Sequence, residues 1–163
     1  MRFDKLTTQF QQAFSDAQSL AVGGDHAYIE AQHLLLALLN QEGGGAAAIL
    51  SRAGVQVPAL KASLTQALTR LPKVEGQGGE VSISRELNNL LNLTDKEATK
   101  RGDQYVASEL FLLTAAGDKG EAGRLLRQHG ADAKAIDSAI KAVRGGQGVE
   151  SPEAEGGREA LKK

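Results

Sequence analysis

The chain has no cysteine and no tryptophan among its 163 residues, and aromatic residues make up only 4% of it. Without thiols there can be no disulfide, thiolate metal site or cysteine nucleophile. That composition fits a reducing compartment, so the expected location is the cytoplasm. So few aromatics leave little to build a base-stacking platform for nucleic acid. A net charge of −1 gives no overall field to recruit nucleic acid or an anionic membrane, so neither is an expected partner. The opening Met1-Arg2-Phe3-Asp4-Lys5-Leu6-Thr7-Thr8-Gln9 is too polar for the core of a signal peptide. No run approaches the roughly 18 apolar residues of a membrane span.

Catalytic signatures are missing too. No Gly-Lys-Ser or Gly-Lys-Thr occurs, so the chain alone is not expected to hold or hydrolyse ATP through a phosphate-binding loop. The one glycine-rich turn, Gly43-Gly44-Gly45, follows a helix instead of a strand. His26, His33 and His129 include no pair at i+3 or i+4, hence no helical metal clamp, and His33 at the head of an apolar helix reads as structural. No serine sits in a Gly-x-Ser-x-Gly elbow. The expectation is a chain with no catalytic residue, metal ligand or cofactor of its own.

What is present is a repeat. An offset of 77 pairs Phe10 with Leu87, Phe14 with Leu91, Ala21 with Ala98, Tyr28 with Tyr105, Ile29 with Val106, and Leu35-Leu36 with Leu112-Leu113. After a one-residue slip, an offset of 76 pairs Leu50 with Leu126, Gly54 with Gly130, Leu60 with Ile136 and Leu64 with Ile140. A long period seen twice predicts a duplicated helical unit rather than a solenoid, with a groove where the halves meet.

Helical spacing runs through both copies. Leu6, Phe10, Ala13, Phe14, Ala17 and Ala21 form an amphipathic stripe over 4–22, with capping groups at Asp4, Thr7 and Thr8. Tyr28-Ile29 reads as an extended bridge, and 32–39 as a leucine-rich central helix. A short helix over 46–53 ends at Gly54, and the next carries Pro58 in its first turn. Residues 72–82 have loop composition. The second copy opens at Ser84, repeats the bridge at Tyr105-Val106-Ala107, and continues with helices near 110–116, 120–129 and 133–143, with Ser108 and Asp132 as N-caps. The fold class is therefore all-α, a duplicated four-helix repeat of eight helices. Repeat one covers about 4–71 and repeat two about 84–143, within a domain of 1–145. Residues 146–163, rich in glycine and glutamate, read as a flexible linker leading to an absent module.

Two features stand out as contact candidates. On the 84–101 helix, Leu93 lies about 120° from the centre of the inward stripe, and with Leu110 it could belong to an apolar patch on the groove. Asp103 and Glu109 follow and begin helices, where carboxylates either serve turn and cap chemistry or meet a partner at an exposed helix start.

The doubled repeat, the opening Met1 to Phe10, Arg70-Leu71-Pro72 before a glycine-rich turn, and Lys100-Arg101-Gly102-Asp103 followed by Ser108-Glu109-Leu110-Phe111 resemble the N-terminal domain family of the Clp-type AAA+ chaperones. The opening and the Arg-Gly-Asp and Ser-Glu-Leu stretches favour the disaggregase branch over the protease-coupled ones, and Ala160-Leu161-Lys162-Lys163 resembles the entry to a first ATPase module. The resemblance implies a helical pseudo-twofold domain tethered to a homohexameric threading ring. ATP and Mg would belong to that ring, and the partners would be unfolded or aggregated polypeptides and a DnaK-type chaperone system. It also implies substrate-binding positions at Thr7, Asp103 and Glu109, with the groove at Leu93 and Leu110. Ala13, Ala31 and Ala107 depart from the family pattern, and the last two weaken local capping. Docking of a folded adaptor is the rival reading; an independent helical enzyme finds no supporting constellation.

Overall fold

The computed structural model describes residues 2–42, 44–74 and 81–155. Gly43, most of the loop between the repeats and residues 156–163, with the expected entry to a further module, lie outside the described residues. A 3-10 turn, Phe3–Lys5, leads into α1 (Thr8–Gly23), β1 (Tyr28–Ile29), α2 (Ala31–Asn40), α3 (Gly45–Arg52) and α4 (Val57–Thr69). The second half holds β2 (Ser82–Ile83), α5 (Arg85–Arg101), α6 (Ser108–Ala116), α7 (Glu121–Gln128) and α8 (Ala133–Arg144). The fold is all-α apart from these two-residue strands. Among the described residues no single helix is long and apolar enough to cross a membrane.

The duplication holds to the residue. The starts of α1 and α2 map onto those of α5 and α6 at the offset of 77, and the starts of α3 and α4 onto those of α7 and α8 at 76. Thr7 caps α1 by accepting the Phe10 N–H, and its counterpart Ser84 caps α5 by accepting that of Leu87. Phe10, Ala13, Phe14, Ala17 and Ala21 form the buried stripe of α1; Leu87, Leu90, Leu91, Thr94 and Ala98 form that of α5. Gly54 and Gly130 both hold positive φ, 95° and 88°, after their short helices. Two sequence expectations shift. The first helix begins at Thr8, because Leu6 is extended, and α6 is capped by Ala107, with Ser108 already inside the helix.

The halves interlock by exchange. The extended residues before α5, Ser82 and Ile83, pair in parallel with Tyr28 and Ile29 of the first repeat. Leu6, ahead of α1, bridges in parallel to Val106 of the second. Thr7 N–H donates to Val106 O at 3.0 Å, and its counterpart Ser84 N–H to Ile29 O at 3.1 Å. Helices cross over in the same way: α3 packs on α8, α7 on α4, and the central helices α2 and α6 meet in between. The result is one continuous apolar core, with the Phe10 and Phe111 rings, one from each half, 6.1 Å apart.

One close approach sets a constraint. A Cβ on Gly123 of α7 would lie 2.0 Å from Asp118 O and 2.8 Å from Ala115 O, both main-chain atoms. Gly123→Ala is therefore expected to lower stability by about 1–3 kcal/mol, as overpacking does, read as a lower urea midpoint with an unchanged m value.

Candidate functional site

Thr7, Asp103 and Glu109, separated in sequence, come together where the two repeats exchange their extended segments. Thr7 follows the Leu6–Val106 bridge, Asp103 follows α5, and Glu109 lies in the first turn of α6. All three side chains are buried. Thr7 bonds to Glu155, while the carboxylates of Asp103 and Glu109 share Arg144, in the last turn of α8 and only 8% exposed in its side chain. Its Nε donates to Glu109 Oε2 at 3.0 Å, and its Nη1 to Asp103 Oδ1 at 3.2 Å. Its Nη2 lies 3.0 Å from Asp103 Oδ2. One guanidinium thus faces two buried carboxylates, using the forked geometry that only arginine presents. Turn and cap chemistry is not the main work of Asp103 and Glu109; sharing Arg144 is.

The segment that composition marks as a linker lies against this cluster. Gly145 and Gly146 follow α8 with φ of 57° and 87°. Two successive left-handed residues are costly for any side chain but glycine, and here they turn the chain back toward α1 and α6. Val149 is then 1% exposed; its N–H donates to Asp103 Oδ1 at 3.2 Å, and its carbonyl accepts Gln104 N–H at 2.8 Å and Tyr105 N–H at 3.1 Å. Pro152 O accepts Thr8 N–H at 2.9 Å, and Thr8 Oγ1 donates to Glu153 Oε1 at 2.7 Å. The Glu155 carboxyl is buried, accepting from Ser108 N–H and Ser108 Oγ, each at 3.1 Å, and from the Thr7 hydroxyl. Burial first, and then the neighbouring Glu109, push this carboxyl above its ordinary value, while the Thr7 and Ser108 donors pull the other way.

The apolar candidates part company. Leu93 is 50% exposed on α5, as its place off the inward stripe predicts. The structure differs on Leu110, which is fully buried in the core. The reason is the position of α6: it packs against α3, α5, α7 and α8 and buries Leu110, Phe111, Leu112, Ala115 and Ala116 together, so it has no outward apolar face. Of two clefts, the first borders the docked segment and the second lies on the 3-10 turn and α1. One of about 390 Å³ is lined by Arg101, Lys141, Arg144 and Gly146 to Gly148, and one of about 360 Å³ by Phe3, Thr8, Gln11, Phe14 and Gln18. The cations of the first are matched: Arg101 pairs with Glu97 and Asp137, and Lys141 with Asp137.

Away from this face, His26 and His33 form a buried pair, Nδ1 to Nε2 at 2.9 Å. Glu30 N–H donates to His33 Nδ1 at 2.8 Å, so neutral His33 carries its proton on Nε2 and donates to His26. Burial, and secondarily His26, lower His33 to about 4. Among the described residues no group of three or more His, Asp or Glu is arranged to hold a metal ion.

A duplicated, all-helical domain with interlocked repeats is the architecture of the class of Clp N-terminal repeat domains. The chain belongs to the family described as the Clp repeat (R) N-terminal domain, which it matches over residues 5–129. It is 50% identical to the chaperone protein ClpB of Vibrio cholerae serotype O1 over 163 residues, 100% of this chain and 19% of that protein. Among solved structures, the Hsp104 N-terminal domain from Candida albicans superimposes with a TM-score of 0.80 at 20% identity, covering 92% of this chain and 98% of that one. A ClpV N-domain in complex with a VipB peptide does so with a TM-score of 0.71 at 19% identity, covering 85% and 86%.

Proposed function

We propose that this chain is the substrate-recognition domain of a ClpB-type disaggregase, holding unfolded or aggregated polypeptide weakly and passing it to an ATPase ring. The family membership and the likeness to ClpB support the class of parent protein. The observation that carries the reading is that Thr7, Asp103 and Glu109 frame a face that already hydrogen-bonds the main chain of another segment: Gln104, Tyr105 and Thr8 donate to carbonyls, and Asp103 accepts an N–H. Main-chain contacts are indifferent to sequence, as a receptor for many unfolded chains must be. In this reading Leu93 supplies apolar contact and Leu110 holds α6 in place from beneath. Roughly 200 Å² of apolar contact contributes about 5 kcal/mol, and association costs offset much of it, so binding is weak and exchangeable. Tethering to a ring would raise the local substrate concentration without a tight site. The ring's ATP and Mg, its hexameric order, a DnaK-type co-chaperone and a cytoplasmic setting belong to this same proposal.

A docking module for one defined partner is the second reading, favoured by the neighbour whose N-domain is solved with a VipB peptide. Fluorescence anisotropy separates the two. A labelled, permanently unfolded polypeptide should bind, unrelated unfolded chains should compete, and the folded form of the same protein should not. Leu93→Ser is expected to weaken that binding several-fold while shifting stability by no more than about 0.5 kcal/mol, as exposed positions do. Binding confined to one sequence, with no competition among unfolded chains, would favour the docking module.

A further inference from the structure

We propose that the notch between Thr7, the Gln104–Tyr105 backbone and the first turn of α6 is a receptor for a short polypeptide segment carrying a small apolar residue and, six positions later beyond a turn, a carboxyl side chain, and that Val149 to Glu155 of this chain are its resident ligand. The two repeats themselves point to it. At the head of α2, Glu30 and His33 close a capping box. At the equivalent position of α6 stands Ala107, which has no side-chain group to give, and Ala107 makes no cap hydrogen bond. The first donors of a helix need an acceptor when they are buried. Glu155 supplies it from 47 residues away, taking the Ser108 N–H and hydroxyl. Thr7, buried and already accepting the Phe10 N–H, spends its own proton on the same carboxyl.

At the other end of the segment Val149 is a single buried residue between exposed Gly148 and Glu150, held by three main-chain hydrogen bonds that any residue at that position could make. Gly148 approaches closely as well, since a Cβ there would lie 3.3 Å from Asp103 Oδ1. The receptor side consists wholly of residues from the folded domain and the ligand side of one short segment. That division is what allows an outside segment of the same pattern to take its place. The bearing on substrate capture rests on the preceding proposal, because the segment covers the same face; the receptor itself does not.

The test uses the full chain and a nonapeptide, Gln-Gly-Val-Glu-Ser-Pro-Glu-Ala-Glu, with the sequence of residues 147–155. In the unaltered chain the amides of Val149 to Glu155 should be as rigid as those of α8 by heteronuclear relaxation. Glu155→Ala, or separately Val149→Asp, should leave the domain folded, free those amides, and shift Ser108, Gln104, Tyr105 and Thr8. Adding the nonapeptide to either variant should restore the shifts. A nonapeptide with alanine for its last glutamate should bind at least tenfold more weakly, as should the intact nonapeptide to the unaltered chain, where the tethered segment competes. Mobile amides over 149–155 in the unaltered chain, or no response of the variants to the nonapeptide, would overturn the proposal. If the nonapeptide binds but unfolded polypeptide binds neither variant nor unaltered chain, the receptor stands and the substrate reading fails. If both bind without competing, the two faces are separate and the segment is no barrier to substrate.

Discussion

Arg144→Ala is expected to remove about 3–5 kcal/mol of folding stability, the range found when one partner of a buried ion pair is deleted. The size follows from what would be left behind. Asp103 and Glu109 have side chains 0% and 2% exposed, and Arg144 is the cation that faces both. Water cannot reach either carboxylate to replace it without opening the junction between the repeats. Arg144→Lys keeps the charge but cannot fork to two carboxylates, so an intermediate loss is expected. Arg124→Ala is the control: its pair with Glu121 is exposed, with the Arg124 side chain 55% accessible, and such pairs contribute at most about 1 kcal/mol. Urea unfolding at neutral pH measures all three. A loss at Arg144 no larger than that at Arg124 would mean that the cluster is solvated in solution. The same arithmetic warns that substitutions at Asp103 or Glu109 disturb folding as well as contact, so any binding defect there needs a matched stability measurement.

The second large effect is a pH dependence centred on His33. The unfolded chain takes up a proton at this residue as pH falls through about 6.5, whereas the folded chain refuses it until about 4. The folded value is depressed, so the stabilisation is complete above about 6.5, is lost progressively as pH falls toward 4, and levels off below. The change across that window is about 3 kcal/mol. Structurally, protonating His33 means placing a proton on Nδ1, where the Glu30 N–H already points. Urea midpoints at several pH values between 7 and 4, for the unaltered chain and for His33→Gln, isolate the effect, because the carboxylates titrate alike in both. Parallel curves would show that His33 is accessible to protons in the folded state.

Much of this architecture is legible in the sequence, and the reasons are local. Helix starts are fixed by Thr7, Ser84 and Asp132, whose side chains accept N–H groups within their own first turn, and ends by glycines that hold positive φ. The 77-residue offset works because Phe10 and Leu87, or Ile29 and Val106, meet the same packing demand in each repeat. What the sequence conceals is long-range. Strands of two residues carry no alternation to read, so the extended bridges are legible from the repeat but their exchange between the halves is not. Arg144 passes unnoticed in the sequence because its partners lie 41 and 35 residues away. His26 and His33 are seven apart but lie on opposite sides of β1, so no helical spacing brings them together. Leu110 looks like a surface candidate only until α6 is seen to be enclosed. The segment after Gly146 has the composition of a linker, and nothing in a Val or a Glu announces that each fills a prepared place.

The proposed substrate reading places polypeptide on the Thr7–Asp103–Glu109 face, and a residue-resolved NMR titration of the full chain with an unfolded, aggregation-prone polypeptide tests this most directly. The account predicts fast-exchange shifts concentrated at Thr8, Gln104, Tyr105, Ser108 and the amides around Leu93, with those of Val149 to Glu155 moving toward mobile values as polypeptide is added. Absence of shifts at high excess, or shifts gathered on the α4 and α7 surface with this face unchanged, would contradict it.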